Sequence, residues 1–209
     1  MAKRTKKPSE RAPNVIDSTL ALAAERGWRR VGLADIAAEA KLPLSQLYGR
    51  YSSRTAILAA FVRQIDEAVL KEGAADGETP RDRLFDVLMR RFEALRPYKL
   101  GVEAILGAAG SDPLAALCGA PRLVRSMAWM LEAAGIDSHG LAGRLRAKGL
   151  VVVYLAAMRS WLADDSADLS RTMAALDKHL RRAETLAGLC RPFAGRGGGG
   201  GSEAPAPAS

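Results

Sequence analysis

Two helical stretches joined by a two-residue turn constrain this chain more than any other feature. Leu33-Ala34-Asp35-Ile36-Ala37-Ala38-Glu39-Ala40 carries its apolar residues at helical spacing. Lys41-Leu42 is too short for anything but a turn. Pro43 suits the opening of the next helix, because its missing N–H has no helical partner there in any case. Residues 44–51 then give a second short helix. Two short helices with a tight turn between them make a helix-turn-helix, whose second helix enters the DNA major groove.

The flanking segments complete a small helical unit. Val15, Ile16, Thr19, Leu20, Leu22 and Ala23 put an apolar face on a helix over residues 15–26, and Gly27 is a natural stop. Trp28 is expected to fold back onto that face as core. Ile57, Leu58, Phe61, Ile65 and Val69 mark a longer helix over residues 55–70. Residues 71–80 hold two glycines and a proline and break the periodicity, which places a boundary there.

Over about fifty residues these features resemble the N-terminal domain of TetR-family transcription regulators. The matching residues are Ile16, Ala23, Gly27, Asp35-Ile36-Ala37, Ala40, Leu47-Tyr48, Tyr51, Arg54, Ala56 and Leu58. The resemblance implies an all-α, TetR-like fold: a three-helix helix-turn-helix domain, then a helical ligand-binding and dimerisation domain. It implies DNA contacts from Pro43, Leu44, Ser45, Gln46, Tyr48 and Arg50. Arg54, at the family's lysine position, is expected to reach a phosphate. The contact surface departs from the family pattern. Gly32 stands at a usual threonine, Ala34 at a position often basic, Lys41 at the turn glycine, Pro43 at a serine and Leu44 at a frequent lysine.

The charge supports a polyanion partner. Of the net +8, residues 1–63 carry twelve Lys/Arg against five Asp/Glu, a net +7; residues 64–209 carry nineteen against eighteen, a net +1. Residues 1–13, with Lys3, Arg4, Lys6 and Lys7, read as a disordered basic arm that tracks phosphates. A merely solubilising basic terminus is the plain alternative. No apolar run follows these charges, so no secretory signal is read. Cys118 and Cys190 make no disulfide framework, which fits a reducing, cytoplasmic setting.

From Arg81 onward only helical patterns appear. Leu84, Phe85, Leu88, Phe92 and Leu95 form one stripe, ended by Pro97. A short helix is expected over 101–109, a connection over 110–113 and a helix opened by Pro121. Residues 150–155 have strand propensity, but their apolar run continues to Trp161 without turn residues, so 141–162 is expected to be one central, most buried helix. Leu169, Met173, Leu176, Leu180, Ala183 and Ala187 make a short a/d-type seam over 168–189. The domains expected are thus 14–70 and 81–190, with a Gly/Pro/Ala tail over 195–209.

A second resemblance lies in the C-terminal half. Trp161-Leu162, Asp164-Asp165-Ser166-Ala167-Asp168-Leu169, Thr172-Met173 and Ala175-Leu176-Asp177 are similar to the ubiquinone-biosynthesis lipid-binding family of the Coq-nine type. It implies a quinone-like lipid ligand and peripheral membrane contact. Asp164-Asp165-Ser166 also reads simply as a connection that caps a helix.

Other chemistry is thin. His139 and His179 lack the Cys/His spacing of a zinc site, and no phosphate-cradling glycine motif or nucleophile motif is present. No cofactor, metal or enzymatic activity is expected. Met127, Met130, Tyr154, Met158, Trp161 and Met173 are candidate walls for an apolar ligand between helices. Plain core packing is the ordinary reading of the same residues. Two functions follow: a DNA-binding homodimeric regulator, or a lipid-binding accessory protein.

Overall fold

In the computed structural model, which describes residues 15–109 and 113–189, all regular structure among the described residues is helical. The basic arm with Lys3, Arg4, Lys6 and Lys7, the tail over 195–209 and Cys190 lie outside the described residues. The helices are α1 (Val15–Arg26), α2 (Leu33–Glu39), α3 (Leu44–Arg50), α4 (Arg54–Lys71), α5 (Pro80–Leu95), α6 (Lys99–Ala109), α7 (Pro113–Ala133), α8 (Gly140–Leu162) and α9 (Ser170–Leu189). One-turn 3-10 segments follow α1 (Trp28–Arg30) and α5 (Arg96–Tyr98).

The expected helix-turn-helix is present, and its local chemistry explains its ends. Gly32 has no side chain to cap α2, so Asp35 reaches back and accepts the Gly32 N–H at 2.7 Å. The turn out of α2 is a six-residue closure: Leu42 N donates to the Ala37 carbonyl at 2.9 Å and Lys41 N to the Ala38 carbonyl at 3.0 Å. That closure puts Lys41 at φ 53, a left-handed conformation that glycine adopts more cheaply. Pro43 lies one residue outside the helix it was expected to open. It is the N-cap, with ψ 142, and its carbonyl accepts from Gln46 and Leu47. α4 starts on Ser53, whose Oγ accepts the Ala56 N–H at 3.1 Å.

One buried cluster runs through both halves of the chain. It joins Leu20, Ile36, Leu47 and Ile57 to Leu88, Phe92, Met130, Trp161 and Leu176. α4 packs on α5 and α7 as well as α1, so it belongs to both packing units. α6 lies along α1 at very close range. A Cβ built on Gly101 would meet the Leu20 carbonyl oxygen at 2.6 Å, so only glycine permits this approach.

Two expectations for the C-terminal half need correction. α7 begins at Pro113 and runs through Pro121, which was expected to open a helix. A helix of 21 residues has bonded turns on both sides of the one amide that proline cannot supply. α8 is not buried all round. Leu150, Val153, Ala157 and Trp161 face α7 and α9, whereas Leu141 and Val152 are 85% and 69% exposed. Leu145 and Leu155 extend the exposed stripe along the same face. The seam residues Leu176 and Leu180 of α9, by contrast, are buried within the chain itself.

The α8–α9 connection is held by one carboxylate. Asp164 accepts from Thr172 N at 2.8 Å, Thr172 Oγ1 at 2.7 Å, Ser166 Oγ at 2.5 Å and Ser166 N at 3.2 Å. Burial acts to raise its pKa, but the hydrogen bonds from Ser166 and Thr172 outweigh that and hold it well below the usual carboxylate range. The expected capping role of the Asp164-Asp165-Ser166 segment is therefore seen. Lys99 ties α6 to the same connection, donating to the Asp164 carbonyl at 2.8 Å and to Asp165 Oδ1 at 3.1 Å.

Candidate nucleic-acid interface

α3 is anchored by a single side chain. Leu47 is buried in the cluster that also holds Ile36, Ala37 and Ala40 of the preceding segment, while Leu44, Ser45, Gln46, Tyr48 and Arg50 are all exposed. A seven-residue helix held on one side thus presents nearly its whole surface outward. The chemistry on that surface is uneven. Pro43, also exposed, has no N–H, and Leu44 offers only apolar contact. Gln46 presents an amide that matches adenine N6 and N7, and Arg50 a guanidinium that matches guanine O6 and N7. Tyr48, 77% exposed, and Ser45 offer hydroxyls suited to phosphate or base contact. The Arg50 side chain makes no ion pair among the described residues, so its charge is available to a partner.

Arg54, expected at a phosphate, also has partners within the chain. Its Nη1 donates to the Trp28 carbonyl at 3.1 Å and to the Val31 carbonyl at 2.6 Å. Its guanidinium also lies 4.9 Å from the centre of the Trp28 ring. Nη1 is thus committed to two backbone carbonyls of the α1–α2 connection, so Arg54 braces the turn. Trp28 itself is half-buried and forms part of this brace.

The candidate ligand walls are packed core. Met127, Met130, Tyr154, Met158 and Trp161 are all buried, and Met173 is half-buried. Phe92 stacks on Tyr154 with ring centres 5.3 Å apart and lies 6.0 Å from Trp161. A polar group sits among them. Arg91 of α5 pairs with Asp66 of α4, Ser126 Oγ of α7 donates to Asp66 Oδ1 at 2.8 Å, and Arg91 lies over the Tyr154 ring at 5.3 Å. Burial pushes the Tyr154 phenol up despite the nearby Arg91. Arg91 Nε and Trp161 Nε1 are buried donors without a hydrogen-bond partner.

Sequence reasoning passed over two groups. Arg29 and Arg30 stand exposed on the 3-10 turn after α1; two arginines beside an expected core tryptophan, outside any amphipathic helix, were the available signal. Glu132, Asp137 and His139 meet on the surface at the α7–α8 turn, with ligand atoms within 4.8 Å of one another. His139 Nδ1 lies 2.9 Å from Asp137 Oδ1, and Glu132 Oε1 accepts the Ser138 N–H at 2.8 Å, so these groups serve one another in closing the turn.

Residues 15–61 match the protein family described as bacterial regulatory proteins, tetR family. No curated protein matches the chain. A solved TetR transcriptional regulator from Nitrosomonas europaea ATCC 19718 is similar at 24% identity and a TM-score of 0.65, over 82% of this chain and 96% of that one. A TetR transcriptional regulator from Rhodococcus sp. RHA1 is similar at 21% identity and a TM-score of 0.60, over 81% and 92% of the two chains. At such identities the likeness establishes the fold, which is all-α and TetR-like. The second resemblance, over residues 150–180, is not borne out by these comparisons.

Proposed function

We propose that this chain, whose residues 15–61 match the tetR family, is a DNA-binding transcription regulator. The observation that carries the reading is the outward face of α3, where Gln46 and Arg50 project from a helix locked behind by Leu47. Those two side chains are the bidentate partners that adenine and guanine edges accept. The basic balance of residues 1–63 supplies the phosphate attraction such reading needs.

In this reading residues 14–70 form the reading domain and residues 81–190 a dimerisation and ligand-binding domain. The protein acts in the cytoplasm as a homodimer and represses by occupying its site. Dimerisation is favoured by the apolar stripe Leu141, Leu145, Val152 and Leu155, a large exposed face with no partner among the described residues. A two-fold dimer spaces its reading helices one DNA turn apart, about 34 Å, or a multiple of it. Control by a ligand in the C-terminal half requires that packed core to open around Arg91 Nε and Trp161 Nε1, buried donors that a ligand acceptor would satisfy. None of the described helices is long and apolar enough to cross a membrane.

A mobility-shift assay on the DNA upstream of the protein's own gene tests the proposal. A discrete complex that survives excess random competitor is expected. Equal retardation of upstream and random DNA overturns the regulator reading.

A further inference from the structure

An open cleft of ≈ 440 Å³ lies where the 3-10 turn after α1 meets the C-terminal end of α6. Arg26, Trp28, Arg29 and Arg30 line one side, and Ala104 and Gly107 of α6 the other. The volume is that of a small-molecule site, for which about 300–1,000 Å³ is usual.

Its charge is poorly compensated. The Arg29 and Arg30 side chains make no ion pair among the described residues. Among the described residues Arg26 has Asp35 at 3.9 Å and Glu25 at 4.0 Å, exposed contacts at the edge of ion pairing. Arg54 adds a fourth guanidinium behind Trp28. Cations gathered at a concavity with an apolar floor raise the local concentration of anions. Guanidinium forks suit carboxylate, sulfonate and phosphate oxygens, and the half-buried Trp28 ring offers a flat apolar wall. The small side chains of α6 leave room opposite that ring.

We propose that this cleft binds a small organic anion with a flat apolar body, its charged end on Arg29 and Arg30 and its body between Trp28 and α6. A duplex backbone fits the arginines but has no flat apolar body to fill the space beside Gly107. One wall leads into the reading helices and the other belongs to α6, so occupancy is linked to any shift of one against the other. That linkage makes the anion an effector only if the regulator reading holds; binding itself needs no DNA and is tested without it.

The full chain is titrated with 8-anilinonaphthalene-1-sulfonate and with the uncharged N-phenyl-1-naphthylamine, followed by fluorescence. Two variants separate charge from shape. Arg29→Gln with Arg30→Gln removes the charge. Gly107→Phe fills the cleft, and a Cβ there meets nothing within 4 Å, so the helix accepts it. The expected result is saturable binding of one sulfonate per chain. The double glutamine variant weakens it at least tenfold and leaves the uncharged probe unchanged. Gly107→Phe removes both probes from this site with the melting temperature preserved. Unchanged sulfonate affinity in either variant overturns the proposal. Displacement of the probe by random duplex DNA also overturns it and assigns the arginines to a phosphate backbone.

Discussion

Arg54 Nη1 donates to the carbonyl oxygen of Val31 at 2.6 Å, joining the first turn of α4 to the connection two residues before α2. The same nitrogen reaches the Trp28 carbonyl, and the guanidinium covers the Trp28 ring. The reading unit is therefore braced from within by a cation that looks, in sequence, like a surface contact. Arg54→Ala should destabilise the protein by about 1.5–3 kcal/mol, the usual worth of hydrogen bonds to a charged group. Arg54→Lys should recover only part of it, since an ammonium cannot lie flat on the ring while serving both carbonyls. Urea denaturation checks both; full stability of Arg54→Ala would show the brace to be idle.

The Asp164 carboxylate gives the α8–α9 connection an acid sensitivity of definite sign. Its folded-state pKa lies below the usual value near 3.9, so its stabilisation is complete above about pH 5 and is lost as the pH falls through the acid range below about 4. Asp164→Asn should cost about 2 kcal/mol at pH 7. The gap between wild type and variant should begin to narrow below about pH 4 and keep narrowing with further acidification. A gap that stays constant with pH would contradict the assigned role.

In the proposed homodimer the exposed stripe on α8 is the self-association surface. Leu145→Glu with Val152→Glu should convert dimers to monomers in sedimentation experiments and leave the fold intact, because Leu145 is 72% and Val152 69% exposed in the single chain. Leu176→Glu and Leu180→Glu are poor probes: both residues are internal, so the charge would unfold the monomer instead. A monomeric wild type at micromolar concentration would rule out the dimer.

The helix-turn-helix was legible because helical periodicity and a turn too short for alternatives are local signals. The Asp164 cap was legible for the same reason. Pro43 was misplaced by one residue, since a proline just before a helix and one at its first turn look alike in sequence. The brace made by Arg54 was not legible because its partners lie 23 and 26 residues away and are backbone carbonyls, which leave no residue-type signature. The stripe over Met127, Met130, Tyr154, Met158, Trp161 and Met173 has one periodicity whether it lines a pocket or fills a core; only the Phe92 stacking on Tyr154 shows it packed. The two faces of α8 were likewise inseparable, because exposed and buried apolar residues on it are of the same types.

The central claim is that α3 reads base edges through Gln46 and Arg50. Its most direct test is fluorescence anisotropy with a duplex selected by the wild type from a random pool, compared with a scrambled duplex, at several salt concentrations. The account predicts a wild-type preference for the selected duplex, with affinity for both falling steeply as salt rises. Gln46→Ala with Arg50→Ala should abolish the preference, each bidentate contact being worth about 1–3 kcal/mol of discrimination, and leave the weak, salt-sensitive binding in place. A double variant that keeps the full wild-type preference would contradict the claim, and so would a wild type that enriches no sequence from the pool.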